Sequence, residues 1–197
     1  MSKKGSNTTT GYLEWNDFLS LISKMESNKD YKFTLLISIG VYTGLRISDL
    51  LQLKYSDILY NTILTINERK TNKVRRIKLN DDLKNIVERI YLKQGGDKLN
   101  DLIFVNRFGE KPIDRSYVNT KLKQIFSYYK TKIDGNVSSH LFRKTLGRKV
   151  MEVNNYSGES LILLMELFGH SSPSITKRYL GIRDQEIFNV YDSLSFN

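Results

Sequence analysis

The chain has 197 residues, 40% of them hydrophobic, and a formal net charge of +10. That length and composition support a substantial core and exclude a disordered tail, while the charge favours a polyanionic partner, nucleic acid first. The lack of cysteine excludes disulfides, thiolate metal sites and cysteine nucleophiles, and no apolar run approaches the ~20 residues that a membrane span needs.

Residues 1–10 are polar, carry positive charge and lead into no apolar stretch, which predicts a flexible segment rather than a signal peptide. Phe18, Leu19, Ile22 and Met25 recur at helical spacing and predict a helix over 15–27. A more buried helix is expected over 30–42, stopped at Thr43-Gly44, where glycine can take the left-handed conformation. A short helix carrying Arg46 and Asp49 follows and closes near Gln52.

At Asn61 the pattern changes. Segments 62–66 and 74–79 read as two strands joined by a turn rich in Lys, Arg and Asn. This basic hairpin clusters Arg69, Lys70, Lys73, Arg75 and Arg76 around its tip. Leu83, Ile86, Val87, Ile90 and Tyr91 predict a helix over 81–93, broken by Gly95-Gly96. Leu102-Ile103-Phe104-Val105 reads as a third strand, with a turn over 106–109. The next helix, over 114–129, turns Val118, Leu122, Ile125 and Phe126 inward.

After a loop over 131–137, Ser139 is the expected N-cap of a helix running from His140 through Val153. Residues 159–168 are apolar nearly throughout and are expected to be buried. Ser172-Pro173 opens a short helix carrying Tyr179. Gly181 breaks it, and Ile187, Phe188 and Tyr191 predict a last amphipathic helix over 184–194. No composition shift marks a boundary inside 11–181. The expectation is therefore one mainly helical α+β domain over 11–181 with a small antiparallel sheet of about three strands. A flexible 1–10 precedes it and a C-terminal helix within 182–197 follows.

The chemistry concentrates in the last third. His140 and Arg143 are three apart on a helix and point the same way. His170 follows a glycine turn, and Tyr179 lies nine residues later. The chain has only two histidines, and both lie here. Taken singly, Arg46 and Arg143 read as salt-bridge residues, each histidine as a structural hydrogen bonder, Tyr179 as a half-buried aromatic and the hairpin as a solvated turn. The acids are not at metal-ligand spacing, so no metal site is read. Taken together, these groups suit attack on a phosphodiester: a phenol nucleophile, cations for the phosphate oxygens and imidazoles for proton transfer. In that reading Asp49 holds Arg46, and the two arginines grip phosphate through the planar fork of the guanidinium.

In this order the segments resemble the catalytic domain of the tyrosine recombinase (phage integrase) family over roughly residues 11–190. Thr43-Gly44-Leu45-Arg46-Ile47-Ser48-Asp49 looks like its first arginine box, with Asp49 where Glu is usual. Lys70 sits where the family has its hairpin lysine. His140-Leu141-Phe142-Arg143 matches the His-x-x-Arg box, with Phe142 where Leu is common. Leu167-Phe168-Gly169-His170 matches the Leu-Gly-His segment, with Phe168 in place of Leu, and Tyr179 lies at the nucleophile spacing.

The resemblance implies a site-specific DNA recombinase that cuts and rejoins DNA through a covalent 3′-phosphotyrosine, with no metal or other cofactor. Arg46 and Arg143 would bind the phosphate and Lys70 would protonate the departing 5′-oxygen. His140 would manage the tyrosine proton and His170 would bond the phosphate. Arg69, Lys73, Arg75, Arg76 and Lys144 are the expected DNA contacts. The implied partner is double-stranded DNA, bound by a tetramer whose free form is a monomer or weak oligomer. The implied setting is a bacterial or mobile-element cytoplasm, with the C-terminal helix docked on a neighbour. Family members usually carry a DNA-clamping helical domain ahead of the catalytic one. Few residues precede the first helix here, so weak, salt-dependent binding is expected. A type IB topoisomerase and a catalytically inert DNA-binding relative are the alternatives. The short Arg46-to-Tyr179 span and the Leu-Gly-His-like segment favour the recombinase.

Overall fold

α1 (Trp15–Ser27) buries Phe18, Leu21, Ile22 and Met25, the i, i+3, i+4, i+7 stripe of an amphipathic helix. Leu19, expected on that face, is instead exposed, and Leu21 takes its place. α2 (Tyr31–Thr43) is buried without interruption from Thr34 to Val41 and forms the centre of the main core. It ends where glycine was expected to stop it: Gly44 adopts φ 59°, ψ 28°, and its N–H donates to the Gly40 carbonyl at 3.0 Å. The short α3 (Ile47–Leu50) follows at once, with Arg46 at its N-cap.

This computed structural model describes residues 10–133, 135–182, 191, 192 and 194. Among them the sheet has two strands, β1 (Ile63–Asn67) and β2 (Val74–Lys78), paired antiparallel with Leu64 opposite Ile77 and Ile66 opposite Arg75. The period of two puts Leu64, Ile66, Arg75 and Ile77 on one face and leaves Val74, Arg76 and Lys78 exposed. The expected third strand is absent. Leu102 and Val105 make only isolated bridges, to Lys54 and Pro112. That segment bends at Ile103 and Phe104, both of which it buries, and it meets a different neighbour at each end, so no ladder propagates.

α4 (Asp81–Lys93) and α5 (Arg115–Tyr128) begin at side-chain caps. Asn80 accepts from the Asp82 and Leu83 amides, and Asp114 from those of Ser116 and Tyr117. α6 (His140–Val153) starts at the expected residue, and Ser138 Oγ accepts from the His140 amide at 3.4 Å. The chain forms two compact units, Met1–Thr145 and Leu146–Asn197, and passes from one to the other inside α6. Each has its own buried cluster, that of the second being built from Met151, Leu161, Leu164, Phe168, Leu180 and Ile182.

In the second unit α7 (Gly158–Phe168) is capped by Ser157, and α8 (Pro173–Leu180) by Ser172 with Pro173 in its first turn. α7 is not buried throughout as its composition led us to expect, since Ile162 and Leu163 are exposed. A helix in so small a unit can bury only the stripe that faces its neighbours. Among the described residues no helix is long and apolar enough to cross a membrane. The expected C-terminal helix falls mostly outside the described residues, as does all of segment 1–10 except Thr10.

Candidate active site

In the first unit the site is built around the turn that ends α2. Because Gly44 is left-handed, the chain reverses there and presents the carbonyls of Thr43 and Gly44 to neighbouring side chains. Arg143, buried at 5% exposure, donates from Nη1 to the Gly44 carbonyl at 3.0 Å. Arg75 donates to the same carbonyl at 3.3 Å and to that of Thr43 at 2.7 Å. The first turn of α6 can approach α2 this closely because residue 40 is glycine. A Cβ at Gly40 would collide with the Phe142 ring, which is itself fully buried. The sequence box around Arg46 and the box around Arg143 therefore meet through backbone carbonyls and one close helix contact.

The hairpin tip carries Lys70. Its turn is closed by the Asn72 amide donating to the Glu68 carbonyl at 2.8 Å and by the Glu68 amide donating to the Lys73 carbonyl at 2.9 Å. Asn72 takes φ 53°, which asparagine tolerates better than most residues. Arg69, Lys70, Lys73 and Arg76 are exposed, whereas Arg75 points inward. Glu68 is buried among these cations. It pairs with Arg46 at 2.5 Å and Arg75 at 3.6 Å, and accepts from the Thr71 hydroxyl at 2.7 Å. Burial works to raise the Glu68 pKa, but the Thr71 hydroxyl and the charges of Arg46 and Arg75 outweigh it and hold it below the ordinary glutamate value. Asp49 is buried as well, and its Oδ1 accepts from the Arg69 amide at 3.1 Å and from the Ser48 hydroxyl at 3.4 Å. It thus fastens the hairpin backbone to α3.

His140 lies at the mouth of this cluster and is exposed overall. Its pKa is pushed below the histidine value first by partial desolvation of the ring, then by the positive fields of Arg115, Arg143 and Lys70. The ring therefore releases its proton more readily than an ordinary histidine, and in its neutral state one ring nitrogen can accept a proton. Lys144 is buried, donates to the Thr10 carbonyl at 2.8 Å and lies 5.9 Å from the centre of the Tyr12 ring.

The second unit holds His170 and Tyr179. Gly169 ends α7 in the left-handed conformation (φ 66°), and α8 begins at Ser172. His170 Nδ1 lies 3.0 Å from the hydroxyl of Thr176, a buried residue of α8. The His170 and Tyr179 rings meet edge to face at 5.2 Å between centroids, and Phe168 packs against both at 5.5 Å. Tyr179 is half-buried. Gly147 allows this packing, since a Cβ there would strike Leu180 and Phe168.

The structure thus brings Arg46, Lys70, His140 and Arg143 together in one unit, and His170 and Tyr179 together in the other. Sequence reasoning missed Glu68, Arg115 and Thr176. Glu68 had a visible signal, as a lone acid in the basic run from Glu68 to Arg76. Arg115 and Thr176 had none, because their relevance depends on which helix turn faces an imidazole.

Comparison with known proteins identifies the family and the fold. The profile described as the Phage integrase family matches residues 12–186. A probable integrase/recombinase of Bacillus subtilis (strain 168), YoeC, is 32% identical over 164 residues, which is 83% of this chain and 85% of that protein. Among solved structures, the XerH site-specific recombinase bound to palindromic difH substrate in a post-cleavage complex superposes with a TM-score of 0.69 at 21% identity. The match covers 96% of this chain but only 55% of XerH. XerA recombinase gives the same TM-score at 23% identity, over 96% of this chain and 66% of that one. The chain belongs to the phage integrase family, that of the tyrosine-type site-specific recombinases.

Proposed function

We propose that the protein cuts and rejoins double-stranded DNA at specific sites through a covalent 3′-phosphotyrosine, with residues 11–181 acting as its catalytic domain. The observation that carries this reading is the convergence of Arg143, His140 and the Lys70 hairpin on the turn that bears Arg46. The family match and the DNA-bound XerH relative support it.

In the reaction the Tyr179 oxygen forms a bond to phosphorus as the bond from phosphorus to the 5′-oxygen breaks. One phosphodiester is exchanged for another, so the energy for rejoining is retained. Arg46 and Arg143 stabilise the non-bridging oxygens as charge builds on them, a contribution typically worth ~3–4 kcal/mol for each donor removed. Neutral His140 takes part in removing the phenol proton, Lys70 supplies a proton to the departing 5′-oxygen, and His170 hydrogen-bonds the phosphate. Three side-chain cations fill the charge-neutralising role that metal ions play in other phosphoryl transfers, so the reaction needs no cofactor. Joining to the 5′-hydroxyl of a second duplex gives recombination, which requires two duplexes cut in one assembly and hence a tetramer on DNA.

The test uses a duplex selected by the protein from a random-sequence pool and nicked so that the 5′-hydroxyl fragment is lost on cleavage. A covalent protein–DNA adduct is expected to accumulate in EDTA. Tyr179→Phe keeps the ring packed against Phe168 and His170 and removes only the attacking oxygen, so binding should survive while the adduct disappears. An adduct that persists in Tyr179→Phe, or that forms only with Mg²⁺, overturns the mechanism.

A further inference from the structure

An acid from the hairpin pairs with Arg46 in this structure. Glu68 sits at the start of the turn that carries Lys70 and reaches Arg46 at 2.5 Å, Arg75 at 3.6 Å and the Thr71 hydroxyl at 2.7 Å. The side chains of Arg46, Arg75 and Glu68 are only 19%, 13% and 9% exposed, so solvent screens this cluster weakly. Arg75 extends the link, because its guanidinium lies on the Thr43 and Gly44 carbonyls, the second of which also holds Arg143. One carboxylate therefore connects a guanidinium of the α2–α3 turn, the turn of the hairpin and, through Arg75, the carbonyl that fixes Arg143.

Three features mark this carboxylate as more than a surface ion pair. An inward-facing arginine in a strand is expensive to bury without a partner, and Glu68 offsets Arg75 from a position four residues after Leu64, just past the end of β1 on the same buried face. A guanidinium has five N–H donors, so a carboxylate on one edge can set the plane of Arg46 without consuming its capacity to bind an anion. The Thr71 contact, the Asn72 amide on the Glu68 carbonyl and the Arg69 amide on Asp49 fasten every residue that flanks Lys70 except Lys70 itself. The turn is pinned while its lysine stays exposed.

We infer that Glu68 is a positioning residue that orients Arg46 and, through Thr71, sets the reach of Lys70, with Arg75 tying both to the carbonyl that holds Arg143. The inference rests on the reading in which Arg46 and Lys70 act on a phosphodiester. It makes the hairpin part of the arginine cluster before DNA arrives, so that Lys70 and Arg46 move as one group.

The test uses the full chain with Glu68→Gln, which keeps the shape and removes the charge, and Thr71→Val, which breaks only the link to the turn. Without DNA, hydrogen exchange across residues 68–73 should quicken roughly tenfold in both variants, as expected when a buried hydrogen bond is lost. With a nicked duplex selected from a random pool by the wild-type protein, single-turnover adduct formation should slow roughly 10- to 100-fold in Glu68→Gln, the scale of a misplaced catalytic group. DNA affinity should stay within about twofold, since the residue touches no DNA in this reading.

Replacing the scissile 5′-oxygen by sulfur removes the need for a proton on the leaving group. That substrate should restore Thr71→Val to the wild-type rate but Glu68→Gln only in part, because the Arg46 defect remains. A purely structural role would give equal loss on both substrates. Unchanged hydrogen exchange, a Glu68→Gln rate within about twofold of wild type, or complete sulfur rescue of Glu68→Gln would each overturn the inference. Should Glu68→Gln fail to fold, Thr71→Val on the partly exposed turn carries the same decision through its exchange and sulfur rescue. If the wild-type protein forms no adduct on any selected duplex, the phosphotyrosine reading falls, and the exchange measurement still decides whether Glu68 pins the turn.

Discussion

His140 stands exposed yet is held below the ordinary histidine pKa of 6.5 by ring desolvation and by Arg115, Arg143 and Lys70. The unfolded chain binds this proton more tightly, so protonation opposes folding, and this contribution worsens as pH falls through 6.5. Arg115→Gln removes one of the three fields. We expect the His140 imidazole, followed by NMR titration, to titrate below 6.5 in the wild type and closer to 6.5 in Arg115→Gln. A wild-type value at or above 6.5 would count against the cationic cluster. The two hairpin lysines separate in the same way. Lys70 lies inside the closed turn, while the Lys73 carbonyl belongs to its closure. Lys70→Ala should lose cleavage and regain it on the 5′-sulfur substrate, whereas Lys73→Ala should cleave normally. The opposite pattern would assign the proton donor to Lys73.

At the scale of elements, the site depends on how closely the first turn of α6 lies on α2. That approach is set by Gly40 against the fully buried Phe142. Gly40→Ala inserts a Cβ that the ring cannot avoid, and overpacking of this kind typically costs about 1–3 kcal/mol. Pairing it with Phe142→Leu should recover most of that loss, because the smaller side chain vacates the space. Thermal or denaturant unfolding of the two single variants and the double variant reads the coupling directly. Additive losses would mean that the two residues do not compete for one volume. In the second unit Gly147 plays the same part for Phe168 and Leu180, and so governs the packing behind Tyr179. The exposed Ile162 and Leu163 are the counterpart of a small unit with one buried stripe.

For the molecule as a whole, the net charge of +10 and the exposed Arg69, Lys70, Lys73 and Arg76 predict that DNA affinity is an electrostatic quantity. Each phosphate neutralised releases counterions, so the logarithm of affinity should fall linearly with that of salt concentration, by about 0.9 per phosphate. Fluorescence anisotropy with a selected duplex between 50 and 200 mM salt should show a loss of roughly 10³-fold or more if six or more phosphates are contacted. Arg76→Ala should reduce that slope by about one phosphate's worth, while an affinity independent of salt would refute the electrostatic reading.

The sequence by itself determined the helices of the described residues, because an amphipathic stripe, an Asn80, Asp114 or Ser172 cap and a Gly44, Gly169 or Gly181 stop are local chemistry. It also determined the family, since the boxes around Arg46, Arg143, His170 and Tyr179 keep their residue types and order. It could not decide that Leu102–Val105 fails as a strand, because ladder formation depends on neighbours distant in the chain. Nor could it choose the acid beside Arg46. Spacing along a helix pointed to Asp49, whose Oδ1 accepts from the Arg69 amide, but gave no sign that Glu68 arrives from the hairpin to pair with Arg46. The same limit applied to Arg75 and Lys144, charged residues that the chain counts as basic surface and the fold turns onto backbone carbonyls. Charge is written in the sequence, but the partner that receives it is fixed only when segments from 20 to 134 residues apart are packed together.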